Sequence, residues 1–173
     1  MSQAAPKNIE TLICVLREVG QFSDEEIINI FDKVSKGASI AEIMQIPNES
    51  LQAGYAMACS LFAAKNYNDA ETLFRSLCMY DEKNARNWIG LGLCCEKRGE
   101  LYLALSSYAN AADLQESQYP KALYLVASCL HRLGNDGAAK IIASRAITAP
   151  AKDADSERYR NLTQELLSCL SKE

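Results

Sequence analysis

Apolar residues recur at i, i+3, i+4 and i+7 along almost the whole chain. No stretch alternates apolar and polar positions with β-branched enrichment over strand length, so an all-α fold is predicted. Ile9, Leu12, Ile13 and Leu16 mark a first helix. Ser23, with Glu26 three residues on, reads as a capping box that opens a second. Its apolar face is Ile27, Ile30, Phe31 and Val34, and Gly37 ends it. Ser39 and Glu42 form another capping box before a short turn at Ile40 to Met44, and Pro47 separates this region from the rest of the chain.

From Leu51 onward the chain repeats itself at a period of 34 to 35 residues. Ala58, Gly92 and Ala127 fall in one column. Ala70, Ala104 and Ala139 fall in a second, and Phe74, Tyr108 and Ala143 in a third. Lys65, Gly99 and Gly134 align at the turn between two helices. Small residues let paired helices approach closely, and an aromatic one turn on fills the space beside them. Two helices per 34 residues is the tetratricopeptide pattern. The reading is therefore a solenoid of three helix-turn-helix repeats with N-terminal helices and a C-terminal capping helix. The repeats span 51–84, 85–118 and 120–153, within a repeat region of 51–154. Residues 1–50 form an N-terminal helical region whose open apolar face, Ile27, Ile30, Phe31 and Val34, needs a partner; a second subunit, giving dimerisation, and the chain's own first repeat are the candidates, and 155–173 form the cap. Tyr159, Leu162, Leu166, Leu167 and Leu170 share the cap's apolar face. Trp88, in the best-preserved repeat, is expected buried between the helices of that repeat.

The composition is that of a globular protein, with 49% hydrophobic and 23% charged residues and a net charge of −4. The acidic excess lies in residues 1–50, which carry four Lys/Arg and eight Asp/Glu. No basic block invites a nucleic-acid backbone. No apolar run is long enough to cross a bilayer, and the first ten residues lack a secretory pattern, so a cytoplasmic location is expected. The seven cysteines, without a CxxC, fit a reducing compartment and read as small core hydrophobes. One histidine, His131, and no paired Cys/His spacing make a structural zinc site an unexpected feature. The chain holds no GxSxG, no glycine-rich phosphate loop and no HExxH, so neither an enzyme nor a cofactor is predicted.

Stacked helix pairs create a concave face lined by the first helix of each repeat. Its outward positions are the second, fifth, ninth and twelfth of each repeat. These are Gln52, Tyr55, Cys59 and Phe62, then Arg86, Ile89, Leu93 and Glu96, then Lys121, Tyr124, Ser128 and His131. The peptide-binding candidates among them are Gln52, Tyr55, Cys59, Phe62, Arg86, Ile89, Leu93, Lys121 and Tyr124. An apolar stripe on a concave surface suits an extended peptide. The chain's own N-terminal helix and a second subunit are the other two occupants that fit it. Repeats that clamp a C-terminal carboxylate place Lys and Asn at the fifth and ninth positions of the first repeat. Tyr55 and Cys59 stand there, so that clamp is absent.

The stretch Phe74-Arg75-Ser76-Leu77-Cys78-Met79-Tyr80-Asp81, followed by Asn84, resembles the F-R-x-L-C-x-Y-D-x-x-N segment of class II type III secretion chaperones. Gly37-Ala38-Ser39-Ile40 through Ile46-Pro47 is similar to that family's lead-in. Tyr55-Ala56, Ala70-Glu71 and Gly90-Leu91-Gly92 come in the family's order. The chain departs from the pattern at Leu73 and Cys59, where the family usually has aromatics. The resemblance implies a non-catalytic cytoplasmic chaperone that holds one or two hydrophobic translocators, with a short extended client segment in the groove. It also implies homodimers formed through the N-terminal helices, and in some members help to a transcriptional activator. A general tetratricopeptide adaptor is the alternative that the repeats alone allow.

Overall fold

The computed structural model describes residues 23–114, 120–149 and 154–171. Among these residues the chain is helical, with no strand. The helix expected over Ile9 to Leu16 lies outside the described residues. The chain divides after Ile46 into two compact units.

The first unit holds α1 (Asp24–Ser35) and α2 (Ile40–Ile43). Both begin with the expected reciprocal caps. Ser23 N–H donates to Glu26 Oε2 at 2.7 Å, and Glu26 N–H donates to Ser23 Oγ at 3.3 Å. Ser39 and Glu42 repeat this geometry at 2.7 and 3.2 Å. The expectation of an open apolar face on α1 needs correction. Ile27 is buried, and Ile30 and Phe31 are half-buried, so most of that stripe is already covered. The apolar side chains that this unit does expose are Ile28, Val34, Ile40 and Met44.

The second unit is the solenoid. Its helices are α3 (Asn48–Ala63), α4 (Tyr67–Tyr80), α5 (Ala85–Lys97), α6 (Leu101–Asp113), α7 (Pro120–Arg132), α8 (Asp136–Thr148) and α9 (Ala154–Leu170). Each of α3 to α8 packs on its neighbours in sequence, and α9 lies on both α7 and α8. Successive helix pairs thus form three repeats with a cap.

The aligned columns have physical causes. Ala58, Ala70, Ala104, Ala127, Ala139 and Ala143 are fully buried where helices meet. A Cβ on Gly92 would lie 2.4 Å from the Tyr108 ring, so that ring fills the space only glycine leaves. Phe74 lies against Gly90 in the same way, which locks the first repeat to the second. At each turn between paired helices one residue takes a left-handed conformation: Lys65 (φ 63°), Gly99 (φ 84°) and Gly134 (φ 78°). Each turn closes with the same two backbone bonds, such as Gly99 N–H to the Glu96 carbonyl and Glu100 N–H to that of Cys95. This double bond is the Schellman arrangement, which favours glycine at the left-handed site.

The junction between the first two repeats is built by Asp81, Asn84 and Asn87. Asn84 caps α5 by accepting from Arg86 N–H at 3.2 Å, and its amide donates to Asp81 Oδ2 at 3.0 Å. Buried Asn87 donates to the carbonyls of Leu77 and Asp81, both at 3.4 Å. Trp88 differs from expectation. It is half-buried at the edge of the core, and its indole N–H donates to the Glu82 carbonyl at 2.7 Å. A ring with an N–H to satisfy settles where a backbone acceptor is in reach.

Cys78, Cys94, Cys95 and Cys129 are buried in the solenoid, whereas Cys59 and Cys169 are exposed. Burial pushes the Cys78 and Cys94 thiols up to about 12. Buried thiols of this kind pack as small apolar groups and carry almost no thiolate.

Candidate functional site

A cavity of about 530 Å³ opens between α3 and α5 and reaches the start of α7 and of α9. Helical spacing builds its walls. Tyr55, Cys59 and Phe62 succeed one another at i, i+4 and i+7 on α3, and Arg86, Ile89 and Leu93 at i, i+3 and i+7 on α5. Lys121 of α7 and Asp155 of α9 close the far end.

Two ring contacts orient the aromatic side chains of the walls. The Tyr55 ring meets buried Phe74 edge-on, with centroids 5.7 Å apart. Phe62 meets Tyr67 at 5.3 Å. Such edge contacts fix ring orientation and reduce the ordering that a ligand would otherwise impose. Burial raises the Tyr55 phenol above its usual range, so it stays a neutral hydroxyl at physiological pH.

The two ends of the cavity differ in charge. Lys121 Nζ sits 3.6 Å from Asp155 Oδ2 and 5.1 Å from the centre of the Tyr159 ring. The Arg86 side chain, on the first turn of α5, makes no ion pair with any described residue within 4 Å.

Tyr55, Cys59, Phe62, Arg86, Ile89, Leu93 and Lys121 therefore meet at one cavity. Two sequence candidates stand elsewhere. Gln52 lines a smaller recess on the other side of Tyr55, with Asn48, Leu51 and Asp81. Tyr124 packs against Tyr159 of α9, with centroids 5.5 Å apart, and does not line the cavity. The capping helix occupies the surface that the third repeat would otherwise offer. Ile89 lines the cavity but is only 8% exposed, because Trp88 and Leu93 crowd it from its own helix. It forms floor rather than rim.

Three other positions named on the concave face serve the fold or remain apart from the cavity. Glu96 accepts from the Tyr108 hydroxyl at 2.7 Å and from Arg132, tying the second repeat to the third. His131 Nδ1 pairs with Asp136 Oδ1 at 2.6 Å. Ser128 is half-buried and does not line the cavity.

Sequence reasoning missed Phe74, Asn84 and Asp155 as lining residues. Phe74 and Asn84 were visible as motif positions. Nothing in the spacing marked Asp155, which arrives only because α9 folds back.

A separate cluster, Glu71, Cys95 and Glu100, brings one ligand atom from each residue within 4.8 Å. Arg98 bridges both carboxylates at 2.5 and 2.8 Å, and Arg75 also pairs with Glu71. The cluster reads as an ion-pair network whose charge is already matched.

Paired helices in register, a concave apolar cavity and a C-terminal cap define a tetratricopeptide-repeat fold. No protein-family model matches the sequence. Low calcium response locus protein H of Yersinia pestis is 29% identical over 136 residues, covering 78% of this chain and 77% of that one. Chaperone protein SicA of Salmonella typhimurium is 31% identical over 108 residues, covering 62% of this chain and 65% of that one. The crystal structure of PcrH from Pseudomonas aeruginosa, in complex with the chaperone binding region of PopD, matches with a TM-score of 0.68 at 26% identity. It covers 73% of this chain and 95% of that one. The chain is thus similar in sequence and in fold to chaperones of type III secretion.

Proposed function

We propose that this chain is a cytoplasmic, non-catalytic chaperone of type III secretion translocators. It holds an extended apolar segment of the client against Tyr55, Phe62, Ile89 and Leu93 and keeps the client soluble and competent for secretion. The observation that carries this reading is the apolar cavity between α3 and α5 in a chain whose relative PcrH is seen with a piece of PopD. A membrane-inserting client exposes apolar surface and aggregates if left alone. Each anchor side chain buried in the groove contributes about 1.5–3 kcal/mol, less the ordering cost of the peptide. Among the described residues no helix is long and apolar enough to cross a membrane. The chaperone works as a homodimer formed through its N-terminal unit, where Ile28, Val34, Ile40 and Met44 are exposed.

Co-expression with candidate hydrophobic translocators, and then co-purification, tests the client. Calorimetry with the captured segment then tests the groove. Tyr55→Ala is expected to weaken binding by about 1–3 kcal/mol and to weaken folding less than binding, since its ring also packs on Phe74. Leu93→Glu is expected to weaken it further, by placing an unpaired charge in an apolar wall. Phe74→Ala is the contrast and lowers stability first. Unchanged affinity in the Tyr55 and Leu93 variants sinks the groove and leaves a general adaptor.

A further inference from the structure

Arg86 stands out in the cavity. It lines the main apolar cavity and the smaller recess beside Tyr55, so it sits on the ridge between them. Its side chain is exposed, and no carboxylate of the described residues lies within ion-pair distance. The facing wall of α3 brings Tyr55, Cys59 and Phe62 to the cavity and no carboxylate. Arg86 occupies the first turn of α5, where the helix dipole already favours negative charge and disfavours a cation. Asp81 shares the smaller recess with Arg86 but lies beyond ion-pair distance of it, and its carboxylate accepts from the Asn84 amide. At the far end Lys121 is matched by Asp155. The cavity thus carries one uncompensated positive charge on a chain whose net charge is −4, so bulk electrostatics does not explain it.

We propose that the client segment held in this cavity carries an Asp or Glu side chain, flanked by its apolar anchors, that pairs with Arg86. The inference rests on the groove reading above and adds to it a charge requirement. Apolar anchors alone give weak register along a groove, since one aliphatic side chain substitutes for another at small cost. A single carboxylate opposite the Arg86 guanidinium sets the register, because any shifted pose leaves the charge facing Tyr55 or Leu93.

The test uses a positional library of twelve-residue peptides with amidated C-termini, so that any selected carboxylate is a side chain. The library is panned on full-length wild type, Arg86→Gln and Arg86→Glu. Wild type is expected to enrich Asp or Glu at one position relative to the apolar anchors. Arg86→Gln should lose that preference while keeping the apolar one, and Arg86→Glu should turn it toward Lys or Arg. The best acidic peptide should bind Arg86→Gln about fivefold more weakly, with the difference shrinking at high salt. Equal melting temperatures of the three proteins establish that the fold is intact. Apolar selection with no acidic preference in wild type overturns the Arg86 pairing and leaves the groove standing. Absence of any apolar selection overturns the groove, and the pairing with it.

Discussion

Gly92 has no room for a methyl group, because the Tyr108 ring already fills the space where its Cβ would go. Tyr108 is fully buried, and its hydroxyl is held by Glu96 at 2.7 Å, so the ring has no room to yield. Gly92→Ala is expected to cost about 1–3 kcal/mol in a urea titration, and pairing it with Tyr108→Leu should recover part of that loss. The thiols make a second residue-scale prediction. Cys78 and Cys94 have pKa values raised from 9.0 to about 12, mainly by burial. The folded state thus keeps its protons while the unfolded state releases them. Their contribution to stability is full below about pH 9 and is lost as pH rises toward 12. Denaturation midpoints should fall across that window. Maleimide labelling of the native protein at pH 8, read by mass spectrometry, should modify Cys59 and Cys169 and spare Cys78 and Cys94. Internal thiols could be read from helical period alone, since Cys78, Cys94 and Cys95 fall on faces that repeat packing buries. The Trp88 position could not, because it depends on the Glu82 carbonyl in a loop whose path no spacing encodes.

At the level of elements, the turns between paired helices show why one column holds Lys65, Gly99 and Gly134. The conformation is the same in all three, and only Lys65 carries a side chain into the left-handed region. Lys65→Gly is therefore expected to stabilise the protein by about 0.5–1 kcal/mol in the same urea titration, and Gly99→Ala to destabilise it by about 1–2 kcal/mol. The helix pairs, their turns and both N-terminal capping boxes were legible because they are local: period, cap and breaker lie within a few residues of one another. The same period brought Tyr55, Phe62, Arg86 and Leu93 to one face. The closing of the groove was not legible. Tyr124 is covered by Tyr159, and Asp155 reaches Lys121, only after α9 docks across α7 and α8. A contact between positions so far apart in the chain leaves no mark on either neighbourhood.

For the whole molecule, the first question is mass in solution. Four exposed apolar side chains in the N-terminal unit, Ile28, Val34, Ile40 and Met44, favour self-association. Sedimentation of the full-length protein should give twice the chain mass at micromolar concentration, and Ile28→Asp with Val34→Asp should give a folded monomer. A monomeric wild type ends the dimer reading. The second question is how evenly the solenoid is held together. Eight residues of α5 are buried, but in α3 only Ala58 is, with Leu51, Tyr55, Leu61 and Phe62 leaning half-buried on the core. The wall that carries three of the groove's side chains thus has the smallest stake in the fold. In a stack whose members hold only their neighbours, such a helix frays first. A client that lies against it gives it burial that the chain alone does not supply, so the loaded groove melts as part of the body while the empty one melts ahead of it. A protease that samples frayed helices would clear the idle chaperone faster than the occupied one. The lifetime of the protein would then track the supply of its cargo, with no regulator needed beyond one thinly anchored helix.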